Sequence, residues 1–175
     1  MSDVLETTGL KAGQLVFPDN NNIVRRGVKA STTIVAGDPI TFDTNGFMLK
    51  ASDSVGTQSE GLGVARESGV NSGGDGAISL QAVLAPTFVG FTMGGAVPPF
   101  KKVKLNATFK AVANSSPANS ALNAVFSDVE VETALDLVRD YVNKNFGRYY
   151  GHHKEEKEPT VSADTEIGVI RLGAD

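Results

Sequence analysis

The sequence predicts a mainly β protein, a small β-barrel or β-tulip-like domain with an extended N-terminal arm and one inserted amphipathic α-helix. Two features of the chain favour strands. Short apolar runs alternate with polar residues at a period of two, and 19 glycines provide turns between such runs. A third feature, one segment near residue 130 whose apolar residues recur at helical spacing, predicts the helix.

A chain of 175 residues is long enough for one domain with additional segments, because single domains commonly hold about 100 to 200 residues. We predict an extended arm over residues 1–13 and one β-barrel domain over residues 14–175, with a helical insertion at about 115–160. Hydrophobic residues make up 41% and charged residues 21%, so the chain has enough apolar material for a core.

Composition argues against several kinds of partner. The net charge of −4 and the pI near 5.2 show no basic excess for neutralising phosphates, so we expect no nucleic-acid partner. No segment reaches the roughly 20 apolar residues that cross a bilayer, so we expect no membrane partner. The acidic start lacks the apolar region of a secretory signal, so we expect a protein that is made and assembled in a cytoplasm, or one that is used outside cells without passing through the Sec route. The absence of cysteine excludes disulfides and thiolate metal sites.

Strands are predicted from Gln14 onward, because residues 1–13 show no sustained period. The stretch TTIVAGDPITFDTNGFMLKAS, residues 32–52, predicts a corner and then a hairpin. Ile40 and Phe42 alternate with polar or turn residues before Asn45-Gly46, and Phe47 and Leu49 alternate after it, so these four apolar residues are predicted to face the core. Asn-Gly supplies the positive φ that tight hairpins need.

Further strands are predicted at GLGVARE (residues 61–67), at AISLQAVLA (residues 77–85) and at the closing EIGVIRLG. The segment KKVKLNATFKAVA, residues 101–113, alternates regularly and predicts one long strand with an apolar face and a wet, basic face. The basic face contains Lys101, Lys102, Lys104 and Lys110. It fits either an acidic partner surface or a solvated strand edge kept soluble by lysines.

The helix is predicted between Ser127 and Gly147. Ser127 and Glu130 form a capping box, and Gly147 stands where a left-handed residue commonly ends a helix. An apolar stripe at helical spacing must cover a sheet or a partner. Its members are Val131, Ala134, Leu135, Val138, Tyr141, Val142 and Phe146.

Residue patterns for catalysis or metal binding are weak. The adjacent His152 and His153 precede a polar run rich in glutamate, which is more typical of a solvated surface than of convergent metal ligands. No G-x-S-x-G motif is present, and the glycines of VNSGGDGA lack the Lys-Ser/Thr end of a phosphate loop. We therefore predict that the protein is not an enzyme and that it holds no cofactor and no metal.

Four motifs together resemble the small capsid decoration, or cement, proteins of tailed double-stranded DNA viruses of bacteria or archaea. They are VAGDPITFDTNGFMLKAS, EGLGVARESG, GAISLQAVLA and EIGVIRLG. The resemblance covers roughly residues 10–90 and 165–173, and residues 92–160 depart from the compact form and look like an insertion. It implies a non-enzymatic β-barrel or β-tulip-like protein that joins the outer surface of an assembled head as a homotrimer.

The resemblance also implies a partner and a location. The partner is the major capsid protein, whose subunits the decoration protein bridges against internal DNA pressure after assembly in the host cytoplasm. We expect residues 1–16 to form the capsid-contacting arm, through Val4, Leu5, Leu10 and Leu15. Subunit or capsid contacts are expected at Lys102, Lys104, Lys110, Leu135, Val138 and Val142. The alternative is a β-barrel carbohydrate- or receptor-binding module of a virion or cell-surface assembly, which requires an exposed aromatic cluster such as that within residues 146–150.

Overall fold

The computed structural model of the chain describes residues 10–16, 22–51, 62–117, 128–152 and 161–173, and for residues 128–130 it describes the backbone alone. The prediction of a mainly β protein is confirmed: the described residues contain a five-stranded sheet, a closed five-stranded barrel, a two-stranded sheet and one helix. The predicted arm residues before Leu10 lie outside the described residues.

The five-stranded sheet is antiparallel and has the order β1-β7-β5-β3-β4. Its strands are β1 (Ile23–Gly27), β3 (Pro39–Phe42), β4 (Met48–Lys50), β5 (Gly63–Ala65) and β7 (Ser79–Leu84). Two further strands, β2 (Thr32–Ile34) and β6 (Gly69–Asn71), pair with each other. We call these seven strands the sheet half of the molecule and the strands of the closed barrel the barrel half.

The barrel closes in the order β10-β8-β12-β11-β9. Only the β10–β8 pair is parallel, and all other neighbours are antiparallel. The barrel strands are β8 (Phe88–Gly94), β9 (Lys102–Leu105), β10 (Ala111–Ala113), β11 (Gly147–Tyr149) and β12 (Asp164–Leu172), and helix α1 (Asp128–Asn143) lies between β10 and β11 in the chain.

One hydrophobic core joins the barrel to the five-stranded sheet. Val64 and Val83 of the sheet pack in the same cluster as Phe91, Phe146 and Tyr149 of the barrel half. A second cluster lies on the other face of the sheet, where Ile40 and Ala82 are among its buried members. Because alternate residues of a strand point to opposite faces, the central strands contribute to both clusters.

The hairpin at residues 39–50 is confirmed, with Gly46 at a φ of +82°. The second strand of the hairpin points a different residue toward the core from the two that were predicted. Met48 is fully buried, whereas Phe47 and Leu49 are half-buried. The reason is the loop length. The backbone N–H of Asp43 donates to the Phe47 carbonyl over 3.0 Å, so Phe47 belongs to the loop and Met48 pairs with Phe42.

The long strand predicted over residues 101–113 is wrong, because the chain reverses there. Strands β9 and β10 pair with each other, with Leu105 opposite Ala111. The side-chain Oδ1 of Asn106 accepts hydrogen bonds from the backbone N–H groups of Thr108 and Lys110 and so stabilises the reversal. Lys110 is therefore separated from Lys102 and Lys104 by a turn.

The helical insertion predicted at about 115–160 is too wide. Strand β11 falls inside that range, yet it pairs with both β9 and β12 and closes the barrel. Helix α1 ends at Asn143, and Gly147 is a strand residue and not the helix-terminating left-handed residue that was predicted. A glycine is required there because a Cβ atom would clash with the backbone carbonyl oxygen of Arg171.

Replacing Gly147 with alanine is expected to destabilise the protein by about 3 kcal/mol or more, because backbone must move to accept the new methyl group. Gly74 provides the matched control, since nothing lies within 4 Å of a Cβ built there. Urea unfolding of both alanine variants measures the difference. Equal stability of the two variants would contradict the closure of the barrel at β11.

Lys29 links two loops of the sheet half through a pair of carboxylates. Its Nζ lies 2.9 Å from the Oδ2 of Asp43 and 2.8 Å from the Oδ2 of Asp75. These hydrogen bonds lower the pKa of both carboxyls below 3.8, with smaller contributions from the backbone N–H groups of Phe47 and Ala30 respectively. The two carboxylates raise the pKa of Lys29 above 10.5, and the hydrogen bond to Asp75 makes the largest contribution.

Stability is therefore expected to fall on acidification below about pH 4, because a carboxyl with a lowered folded pKa contributes stability above its unfolded pKa and loses it as the pH falls through the folded value. The contribution of Lys29 is lost at the alkaline end, as the pH rises through its folded pKa. Urea unfolding across the acid range tests this. Lys29→Met should flatten the acid profile and Lys104→Met should leave it unchanged; two identical profiles would contradict the assignment.

Candidate interaction surfaces

The N-terminal segment from Leu10 to Val16 is docked on barrel strand β8. The Gly13 N–H donates to the Gly90 carbonyl over 2.8 Å, the Gly90 N–H donates to the Gln14 carbonyl over 2.9 Å, and the Val16 N–H donates to the Phe88 carbonyl over 3.1 Å. Because β10 meets β8 at Met93, these residues cover the edge that β8 would otherwise leave unpaired near Gly90.

The two predicted arm residues within this segment contact the protein's own domain. Leu10 packs in a small cluster with Val16 and Val169, and Leu15 packs against the main core. Both side chains are half-buried. Their contact with a capsid stays a prediction, and the structure adds an intramolecular role. Val4 and Leu5 lie outside the described residues.

Three cations form a continuous row across the outer face of the barrel. Arg148 of β11 lies directly opposite Lys102 of β9 on one side and directly opposite Arg171 of β12 on the other. All three alternate with buried neighbours and are half-buried themselves, so their side chains point outward. Within the described ranges, neither Lys102 nor Arg171 forms an ion pair. Like charges directly opposite each other in a sheet are destabilising.

Lys104 lies on the same face, and Lys110 does not belong to the row. Lys104 follows Lys102 by two residues and is also half-buried between inward-facing neighbours. The Nζ of Lys110 lies 2.9 Å from the Oδ1 of Asp164, and this contact lowers the pKa of the Asp164 carboxyl. The structure thus brings together two of the three predicted lysines and adds two arginines. The sequence did not indicate the two arginines, because they are distant from Lys102 in the chain and come beside it only through the pairing of the barrel strands.

Helix α1 exposes its apolar stripe. Leu135 is 48% exposed, Val138 is 39% exposed and Val142 is 45% exposed, whereas Ala134 and Tyr141 at the edge of the stripe are half-buried. The exposed residues Val131, Leu135, Val138 and Val142 follow each other at intervals of four, three and four, which is the spacing of a coiled-coil seam. We term these four residues the helix stripe.

The helix meets the barrel near its C-terminal end. The side-chain amide of Asn114 donates to the Tyr141 carbonyl over 2.8 Å, and the Nζ of Lys102 lies 5.5 Å from the centroid of the Tyr141 ring. A cation over an aromatic face is attracted by its quadrupole. This contact holds Tyr141 against the barrel and leaves the four residues of the helix stripe exposed to solvent.

Within the described ranges, His152 contacts a single carboxylate. Its Nε2 lies 2.8 Å from the Oε2 of Glu166, and the same oxygen accepts a hydrogen bond from the Ala163 N–H over 2.6 Å. The Ala163 N–H, and then His152, lower the pKa of the Glu166 carboxyl. Among the described residues no group of three potential ligands could hold a metal ion. His153 lies outside the described residues.

The aromatic cluster that the alternative function requires is largely inside the core. Phe146 and Tyr149 are fully buried, so they cannot stack on a ligand. Tyr150 packs edge-on against Phe88 at 5.1 Å and against Phe100 at 5.6 Å between ring centroids. Phe100 is 54% exposed and is the outermost ring of this group.

No helix in the described part of the chain is long and apolar enough to span a membrane.

These features define a mainly β protein with an exposed helix stripe at coiled-coil spacing and a half-buried row of basic residues, Lys102, Arg148 and Arg171, on the outer face of the barrel. We term these three residues the basic row. No protein-family model matches the chain, and no curated protein sequence matches it. Among solved structures, the chain is similar to the head fiber gp8.5 N base of bacteriophage phi29, with a TM-score of 0.47 and 9% sequence identity over 87% of this chain and 98% of that chain. A TM-score and an identity this low do not establish a common fold.

Proposed function

We propose that this protein is a capsid decoration protein of a tailed double-stranded DNA virus. It binds the outer surface of the assembled head as a homotrimer, after head assembly in the host cytoplasm, and stabilises contacts between major capsid subunits against internal DNA pressure. Two sets of observations support the proposal: the motifs within residues 35–85 and 166–173 that resemble those of cement proteins, and two surfaces, the helix stripe and the basic row, that suit protein partners.

The helix stripe is the single observation that carries the proposal. Four branched apolar side chains, each between 39% and 48% exposed, lie on one face of a 16-residue helix. A helix of this length is marginal in water without packing, and contiguous exposed apolar surface usually marks an interaction site. The stripe therefore requires a partner in the working form of the protein.

The residues of the helix stripe favour a second and a third copy of this chain as that partner. At coiled-coil spacing, Leu135 and Val142 occupy one of the two core positions and Val131 and Val138 occupy the other. When Leu135 and Val142 are assigned to position a, Val131 and Val138 fall at position d. A β-branched residue at position d shifts parallel coiled coils away from dimers and toward three or four strands, and neither repeat has the leucine at d that favours dimers. A trimer matches the three-fold positions of an icosahedral head.

Sedimentation with expanded heads that lack the protein tests the proposed function. Wild-type protein is expected to pellet with the heads and to saturate. A variant that lacks residues 2–9 keeps the docked segment from Leu10 to Val16, so it should remain folded and should bind at least tenfold more weakly if the arm contacts the capsid. Undiminished binding of this variant would contradict the arm, and absence of wild-type binding would contradict the decoration role.

A carbohydrate-binding role is the second candidate, and Phe100 is the observation that favours it. Phe100 is 54% exposed and its ring is held edge-on against Tyr150, and aromatic rings with one exposed face can stack on sugars. Binding to a glycan array that is lost on Phe100→Ala, together with failure to bind heads, would favour this candidate over the decoration role.

A further inference from the structure

Phe100 occupies a backbone conformation that large side chains rarely adopt. Its φ is +64°, in the left-handed region, where a bulky L-residue is strained because its Cβ crowds a backbone carbonyl oxygen. Phe100 is nevertheless 54% exposed, and its ring meets that of Tyr150 edge-on, with 5.6 Å between the centroids. Strained positions that the surrounding structure holds in place cluster where proteins bind and react.

Phe109 has the same backbone feature, but its strain is offset inside the molecule. Its φ is +60°, and the Nζ of Lys50 lies 4.3 Å from the centroid of its half-buried ring. Lys50 is itself held by Asp38 over 2.8 Å, and a cation over an aromatic face is attracted to it. In the described part of the chain no cation lies over the ring of Phe100, so its strain is left for a partner to offset.

Backbone hydrogen bonds fix the turn that presents the Phe100 ring. The Phe100 N–H donates to the Tyr149 carbonyl over 2.7 Å, and the Tyr149 N–H donates to the Lys101 carbonyl over 3.0 Å. The Phe100 carbonyl accepts a hydrogen bond from the Nη1 of Arg148 over 2.8 Å. An aromatic ring that is already held in position loses little conformational freedom on binding, and such rings commonly anchor protein interfaces.

The exposed ring lies beside the docked N-terminal segment. Tyr150, against which Phe100 packs, belongs to the same small cluster as Leu10 and Val16. The chain before Leu10 is the predicted capsid-contacting arm, so the arm leaves the domain next to the cluster that supports Phe100. A partner that the arm reaches is therefore within reach of Phe100 as well.

Two lysines beside the ring indicate the charge of this partner. Phe100, Lys101 and Lys102 line one groove of about 260 Å³. Neither lysine forms an ion pair within the described ranges, although the whole chain has a net charge of −4. A local excess of positive charge is complementary to an acidic protein surface, whereas a neutral sugar would leave both lysines without a counterpart.

We propose that Phe100 anchors the domain to the capsid. Its ring enters an apolar pocket on the outer face of the major capsid protein, and Lys101 and Lys102 face carboxylates at the rim of that pocket. An apolar anchor surrounded by a polar rim is the usual anatomy of a protein interface. The inference rests on the decoration role and names a contact of the domain that is separate from the arm.

Sedimentation of Phe100→Gly with expanded heads that lack the protein tests the anchor. The substitution removes the ring and relieves the left-handed backbone together, so this variant should unfold at a urea concentration no lower than Phe100→Ala does. Binding to heads should nevertheless weaken about tenfold or more. Lys101→Glu should weaken it about tenfold or more as well, because it places a carboxylate against an acidic rim, and Phe100→Tyr, which keeps a ring, should bind within about threefold of wild type.

Phe109→Gly is the matched control, because Phe109 also has a positive φ but lies at the other end of strand β9. It should unfold at a lower urea concentration than wild type and should bind heads as wild type does. If Phe100→Gly fails to fold, Phe100→Ala decides the test.

Three outcomes would overturn the anchor. Undiminished binding of folded Phe100→Gly would do so and would leave the decoration role standing, whereas absence of wild-type binding would overturn both. Glycan binding that is lost in Phe100→Ala, together with head binding that is kept, would assign the ring to a sugar instead.

Discussion

Leu135→Asp is expected to convert the proposed trimer into a monomer. The leucine is at the centre of the helix stripe and is 48% exposed in the single chain, so the change costs little folding stability in the monomer. In a trimer the same position places three carboxylates together in an apolar seam, where burial of unpaired charge is strongly unfavourable. Loss of association by at least a hundredfold is expected.

Light scattering coupled to size-exclusion chromatography measures this effect directly. Asn143→Asp is the matched control, because it adds the same charge to an exposed position outside the stripe of the same helix. The control should remain a trimer. A monomeric wild-type protein, or a Leu135→Asp variant that remains trimeric, would show that the helix stripe does not join subunits. If the Leu135→Asp variant remains trimeric, the helix stripe is instead available for contact with the capsid.

Phe91→Ala is expected to lower the free energy of unfolding by about 3 to 5 kcal/mol. Phe91 is fully buried and its ring lies 4.9 Å from that of Phe146, at the centre of the cluster that joins the barrel to the sheet. The truncation therefore leaves a cavity where the two halves meet. Removing the aromatic pair adds a further loss beyond the buried area.

Urea unfolding with Phe100→Ala as the control distinguishes a core effect from a general effect of removing phenylalanine. Phe100 is 54% exposed, so the same substitution there should cost less than about 1 kcal/mol. A single cooperative transition that shifts for Phe91→Ala is expected, because one core serves both halves. Two separate transitions, of which only one shifts, would contradict a shared core.

Local patterns account for the elements that the sequence predicted well. The hairpin around Asn45 and Gly46 and the helix up to Asn143 depend on turn chemistry and on spacing that neighbouring residues determine. The error at residues 101–113 has a local cause as well. The alternation continues unbroken through the reversal, and Phe109 adopts a φ of +60°, a conformation that its side chain does not predict.

Contacts between distant parts of the chain could not be predicted in the same way. Strand β12 pairs with β8, so that Val169 lies opposite Gly90, and no local pattern specifies that register. The basic row depends on two other such pairings, since Arg148 lies beside Arg171 only when β11 and β12 align and beside Lys102 only when β11 and β9 align. The lysines of β9 were predicted because they alternate within one segment, whereas the two arginines required the closed barrel.

Electron cryomicroscopy of expanded heads, with and without added protein, tests the decoration role most directly. A decoration protein is expected to add density on the outer surface at three-fold or quasi-three-fold positions, with three copies of the β domain around each axis and their helices together at the centre. Density that is absent, or that appears only at the head vertex or on the inner surface, would contradict it.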